Sequence, residues 1–387
     1  MIPHDPTLPQ IDPRKLVLGR RENELYERVC ETGYVPSEAT FSDFCESLKS
    51  GRGWLISGER GSGKTAFPEA VGQACNLALC IVAGRDGLTQ SEILYDWDRE
   101  EQAEWMNESM QIAKSLPEEK RADFMTKARR EKWKREFLIL GEMGLAYELA
   151  NEAASMGMDA APPILILDES DKFGASLEDA MLMPLERGVI YIPRLECGYI
   201  GIADRRHRPI VVTTSNDLRH KLSAPFISRH IFSRFVTPSL SKELEILEAR
   251  CPEASHQQIS IAIKLLDAIR GIAGLEDHPS LRESIDLVAA LHRDDVRELD
   301  EDNLIRYLCY FAKTSESQEL LKLQLDYLLM MAGCYHPETD DRSKTMASVG
   351  HIGMENFDDL TGLNSTKGSP DHIEHFEMNR ETVGVGA

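Results

Sequence analysis

Four short runs of apolar residues punctuate the first 216 positions: "GWLIS" up to Ser57, "LALCIVAG", "PPILILDE" and "RPIVVTTSN". Each is too short for a helix and ends in glycine or polar residues, so each reads as a buried strand. Between them the period changes. "ENELYERVCE" and "SEATFSDFCESLKSG" place apolar residues at helical spacing, the second with a start signal at Ser37 and a stop at Gly51. Thr65 to Leu79 reads as a helix with Pro68 in its first turn, where a missing N–H costs little. From about Ser91 to Met158 the chain is long, charged and helical in period, with Ser115 and then Pro117 opening "SLPEEKRADFMTKARREKWKREF". "GVIYIP" and "GYIGIA" alternate like two strands joined by "RLEC", so a β-hairpin is expected from Gly188 to Ala203. Strands separated by helical stretches predict a parallel α/β sheet. From Ser239 to Gly333 no strand signal remains.

The expected organisation is therefore a loose lead-in (1–30) and an α/β domain (31–238) with a helical insert at about 98–158. An all-helical unit (239–333) and a tail (334–387) follow. The tail is poor in aliphatic residues and rich in polar and acidic ones, which predicts disorder. Its histidines His336, His351, His372 and His375 are irregularly spaced and read as incidental.

The candidate chemistry begins at "GERGSGKT", directly after the first strand. Its spacing is G-x-x-x-x-G-K-[ST], and a strand before with a helix after is the context a phosphate-binding loop requires. Gly58, Glu59, Arg60, Gly61, Ser62 and Gly63 would wrap backbone N–H groups around an anion at a helix N-terminus. Lys64 would reach the terminal phosphates, and Thr65 would offer its hydroxyl to Mg²⁺. The second element is "ILILDE". Asp168, at the end of a strand, is placed to hold the metal shell, and Glu169 to act as general base on a water. Ser170 and Asp171 read as caps of the next helix. Asn216, at the tip of "PIVVTTSN", could hold the same water.

Composition narrows the partners. The formal net charge is −21, which repels polyanions and argues against nucleic acid as the main partner. Lys127 to Arg135 does hold six basic residues and one Glu around Trp133, a run that reads as a solvated helix face or, alternatively, a nucleic-acid contact. The cysteines at 30, 45, 75, 80, 197, 251, 309 and 334 form no C-x-x-C pair, so neither a zinc cage nor a disulfide framework is expected. The start, "MIPHDPTLPQIDPRK", does not read as a secretory signal, and no apolar run approaches the roughly 18 residues of a membrane span. A reducing cytoplasm is the expected location.

Taken in order, "YVPSEATFSDFCESLKSGRGWLISGERGSGKT", "RDGLTQSEILYDWD", "PPILILDESDKF", "GVIYIPRL", "PIVVTTSN" and "PSLRESIDLVAAL" resemble the MoxR family of AAA+ ATPases over residues 33 to 333. The "YDWD" element, Tyr95 to Asp98, resembles the branch related to maturation of carbon monoxide dehydrogenase. The resemblance implies a P-loop AAA+ core with an inserted hairpin and a small helical lid, ATP and Mg²⁺ between them, and a homo-oligomeric ring, usually a hexamer. It also implies Asn216 as sensor 1 and Arg282 of "PSLRES" as the lid's sensor 2. The arginine finger donated to a neighbour falls on Arg229 or Arg234 of "SAPFISRHIFSRF"; many relatives carry two adjacent arginines where this chain has Ser228 and Arg229. Relatives act with a von Willebrand factor A-domain protein to remodel, mature or activate a client protein or complex, and the hairpin can face a central pore. Two other readings remain open: an ATP-gated assembly scaffold in defence or signalling, and a nucleic-acid-associated motor.

Overall fold

In the computed structural model the described residues are 1–157, 160–216, 221–275 and 278–333. The expectations for the tail, including its histidines, fall outside them. Nine strands occur among the described residues: β1 Gly53–Gly58, β2 Leu79–Ala83, β3 Tyr95–Trp97, β4 Leu138–Leu140, β5 Ile164–Asp168, β6 Val189–Tyr191, β7 Tyr199–Gly201, β8 Ile210–Ser215 and β9 His230–Phe235. The helices begin with α1 Pro13–Leu18, α2 Glu22–Glu31, α3 Glu38–Ser50, α4 Ala66–Cys75 and the short α5 Gln90–Ile93. They continue with α6 Arg99–Ser115, α7 Glu118–Glu131, α8 Glu142–Met156, α9 Ala175–Arg187 and α10 Ala224–Ile227. The last are α11 Leu240–Arg250, α12 His256–Arg270, α13 Leu281–Arg293, α14 Glu301–Phe311, α15 Ser315–Lys322 and α16 Leu325–Met331.

Five strands form one parallel sheet in the order β2-β5-β8-β1-β9. Strands β1, β2, β5 and β8 read as apolar runs in sequence because both faces of the sheet are covered there. Trp54 and Ile56 of β1, with Ile164 and Ile166 of β5, face a core shared with α1 to α4. Leu55, Leu165 and Leu167 face the opposite core, shared with α8 and α9. The carboxyl ends of β1, β5 and β8 lie side by side on one rim, where open α/β sheets bind ligands.

Several expectations need correction. The first residues are not a loose lead-in. Ile2 pairs with Leu79 on the exposed edge of β2, and Asn76 ties down Asp5 and Leu8. Buried Arg14 donates to the carbonyls of Arg206, Arg208 and Pro209 just before β8, and burial pushes its pKa down to about 10, opposed by Asp12. Helix α4 stops at Cys75 because Asn76 adopts a left-handed conformation (φ 51°) that takes over as C-cap. The 98–158 stretch is not uniformly helical. Short β3 and β4 pair antiparallel and close off an α6–α7 helical hairpin, while α8 packs into the core under the sheet. Strand β9 was not expected: as an edge strand it alternates buried and exposed residues and carries no apolar run. The β6–β7 hairpin is present, with Tyr191 paired to Tyr199.

The basic run has structural uses. Trp133 meets the edge of Trp97 and carries the Arg194 guanidinium 4.3 Å from its ring centre, so it joins α7's end to the β6–β7 hairpin. Arg135 pairs with Glu148 of α8 and Lys134 with Glu131.

Helices α11 to α16 enclose a hydrophobic core of their own. Its polar centre is Glu243, fully buried, which receives both Nη atoms of Arg270 at 2.7 and 2.9 Å and the Ser284 hydroxyl. That network joins α11, α12 and α13. Glu243→Ala would strand the guanidinium and is expected to cost about 3–5 kcal/mol. The urea-unfolding midpoint checks this; a loss under about 1 kcal/mol would show the pair to be dispensable.

Candidate active site

The loop after β1 and the start of α13 face each other across a cleft of about 970 Å³. Arg60, Gly61, Ser62, Gly63, Lys64 and Thr65 line it on one side, Leu281, Arg282 and Ile285 on the other. Gly61 has φ +73°, and a Cβ there would fall 2.0 Å from Ser280 Oγ. Only glycine allows the loop to touch the cap of α13. Gly58 and Glu59 do not line the cleft. They form the loop's stem: their carbonyls accept from Lys64 Nζ at 2.8 and 2.5 Å, and Glu59 Oε2 accepts from Thr237. Pro68 sits in the first turn of α4, as expected.

The loop is braced from behind by Tyr34, whose hydroxyl donates to the Gly63 carbonyl at 3.3 Å and whose ring meets Phe67 edge-on. Burial raises the Tyr34 pKa, so the phenol stays a neutral donor. Nothing in the sequence period marks this tyrosine; its place follows only from packing against the aromatic cluster of Phe44, Trp54 and Phe67.

Thr65 Oγ1 donates to Asp168 Oδ1 at 2.9 Å, so the two expected metal ligands meet although 103 residues separate them. The same carboxylate oxygen accepts from Thr214 Oγ1 at 2.6 Å, and Thr214 Oγ1 in turn accepts from the Glu169 backbone N–H at 3.0 Å. Thr214 thus fixes both acids, a role the sequence reading missed; the signal was a hydroxyl at the last inward position of an apolar strand. Glu169 takes a left-handed conformation (φ 51°), and its carbonyl passes so close to Gly84 that a Cβ there would lie 2.2 Å away. Glu169 and Asn216 both line the cleft.

Ser170 and Asp171 do not cap α9, whose N-cap is Gly174. Ser170 Oγ donates to the Thr214 carbonyl, and Asp171 Oδ1 accepts from the Asn216 backbone N–H at 3.0 Å. Both sew the end of β5 to the end of β8. Glu69 on α4 adds another carboxyl to this corner; burial, and then the charge of Asp168, raise its pKa.

The two arginines differ in place. Arg234 stands on β9 and lines the cleft of its own chain. Arg229 follows α10 and is not among the cleft residues. Its guanidinium donates to the carbonyls of Leu182 and Pro225 and approaches Glu186 at 3.6 Å. Next to it, His230 is buried between Thr213 and the Phe226 carbonyl, and burial holds its pKa down to about 4.

The donor set suits a hard cation: one hydroxyl and one carboxylate, both oxygen, at the foot of a phosphate-binding loop. Among the described residues no group of three or more His, Cys, Asp or Glu is arranged to hold a metal by itself, and no helix is long and apolar enough to cross a membrane.

No curated protein matches the chain. Among solved structures it is similar to a point mutant of Thermotoga maritima RuvB, at 13% identity and a TM-score of 0.38, covering 71% of this chain and 70% of that one. It is also similar to the Thermotoga maritima RuvB Holliday junction branch migration motor, at 13% identity and a TM-score of 0.37, covering 70% of this chain and 68% of that one. A family model, the AAA domain (dynein-related subfamily), matches residues 53–235. That segment opens on the first residue of β1, closes on the last residue of β9, and contains the loop, both acids and Thr214. Residues 53–235 of this chain therefore match an AAA domain of the dynein-related subfamily and fold as a P-loop on a five-stranded parallel sheet.

Proposed function

We propose that this protein is an ATPase of MoxR type, which couples hydrolysis of Mg²⁺-ATP in an oligomeric ring to the remodelling, maturation or activation of a partner protein or complex. The observation that carries the reading is one cleft lined by the loop, Asp168, Glu169 and Asn216 from the AAA domain and by Arg282 from the helical region. A purely binding site has no need of a second acid beside the metal ligand.

In this reading the loop amides and Lys64 bind the phosphates. Thr65 and Asp168 would hold Mg²⁺, which when bound neutralises charge on the phosphate oxygens. Glu169 accepts the proton of the attacking water, and Asn216 orients that water. Arg282 and Arg234 contact the nucleotide from within the same chain. Arg229, held outside its own cleft, is the residue left to enter a neighbour's. Because Arg282 starts α13, loss of a phosphate contact would change the angle between the helical region and the sheet, and a bound partner would feel that change. The "YDWD" element and the β6–β7 hairpin support a protein client and a von Willebrand factor A-domain partner by resemblance, and the net charge of −21 suits protein better than nucleic acid.

The first test is binding. Wild-type protein should bind ATP in a calorimeter, and Lys64→Ala should lose about tenfold to a hundredfold in affinity, the worth of a charge-assisted contact. Equal affinity in the two proteins would remove the loop from the site.

A further inference from the structure

Glu169 does not face the cleft unaccompanied. Its Oε2 is ion-paired with Lys172 Nζ, three residues on. The short 3₁₀ turn Ser170–Lys172 joins them, closed by the Lys172 N–H donating to the Glu169 carbonyl at 2.9 Å. This turn cannot drift. Ser170 is bonded to the Thr214 carbonyl, Asp171 to the Asn216 N–H, and Phe173 is buried beneath it. The lysine side chain is 21% exposed and the glutamate 35%, so the pair is partly shielded from solvent. Glu169 lines the nucleotide cleft; Lys172 does not.

An oxygen engaged by an ammonium group is a poor acceptor for a proton from water, and here the ammonium pulls from outside the cleft. We propose that Lys172 is a positioning residue that acts as a brake: it holds Glu169 in an ion pair that must open before the carboxylate can activate water. The proposal rests on the hydrolysis reading above and adds a step to it. Partly exposed ion pairs are weak, so the brake is modest and the release is within reach of small shifts in the site.

The test compares ATP turnover by the full-length wild type with Lys172→Met, Lys172→Gln and Lys172→Arg, with Mg²⁺ present. The methionine and glutamine variants should raise kcat about fivefold, the ceiling set by a weak pair, with KM unchanged; the arginine variant, which keeps the cation, should stay within about twofold of wild type. A lysine that merely supported the turn would lower kcat when removed. Equal kcat in all four proteins would overturn the brake and leave the hydrolysis reading intact. Lower kcat in both neutral variants would also overturn it. Silence in every protein would overturn hydrolysis and, with it, the brake.

Discussion

Glu169→Gln is expected to bind ATP as wild type does and to turn it over about 10²–10⁴ times more slowly, the range for removing a general base. The amide has the shape of the carboxyl group, and the contact that fixes the residue, the Glu169 backbone N–H donating to Thr214 Oγ1, does not involve the side chain. Asp168 keeps its bonds from Thr65 and Thr214, so the donors for the cation stay in place. What disappears is the ability to take a proton, together with the negative charge that pairs with Lys172. Steady-state turnover and equilibrium ATP binding, measured on the same preparation, separate the two effects. Affinity falling together with kcat would mean that Glu169 shapes the pocket; turnover within a few-fold of wild type would mean that another group serves as base, or that the chain uses ATP only to assemble. If the proposed remodelling of a protein client holds, a stalled variant should also retain that client, which makes it the bait for identifying it.

How much of this was legible in the sequence depends on whether the feature is local. The loop is local: eight consecutive residues fix its glycines, lysine and hydroxyl, and the flanking strand and helix are where the spacing puts them. The acids at the end of β5 are local too. The bonds that organise the site are not. Thr214 meets Asp168 across 46 residues and Asp171 meets Asn216 across 45, through strand neighbours that no single-sequence period reveals. Ser170 and Asp171 looked like helix caps because Ser and Asp are common caps, but here they serve the adjacent strand. Strand β9 was invisible because an edge strand buries only one side, so "HIFSRF" carries no apolar run. The N-terminal residues looked loose because proline and polar residues dominate them, yet Ile2 pairs with Leu79 at the open edge of β2, a partner that exists only in three dimensions. Trp133 within its basic run could have read as a nucleic-acid contact; its edge-on contact with Trp97 and the Arg194 guanidinium over its ring show an internal use.

The proposal of largest effect concerns Arg229. Arg234 already lies in its own cleft, whereas Arg229 is held by Leu182 and Pro225 away from it. If Arg229 completes the site of an adjacent copy, Arg229→Ala should lower kcat by about 10³-fold or more, the worth of an arginine that stabilises phosphoryl-transfer charge. The loss should appear with ATP affinity nearly unchanged. Nothing in the Arg229→Ala chain's own loop or acids would be altered, so its cleft should remain ready for an intact neighbour.

Mixing measures that directly. Lys64→Ala protein has a crippled cleft but an intact Arg229; Arg229→Ala protein has the reverse. Each alone should be nearly inactive. Combined in equal amounts with ATP and Mg²⁺, they should recover a substantial fraction of wild-type turnover, because an Arg229 from one chain would serve a working cleft in the other. A mixture no more active than its two parts, under conditions where the chains demonstrably co-assemble, would contradict the account.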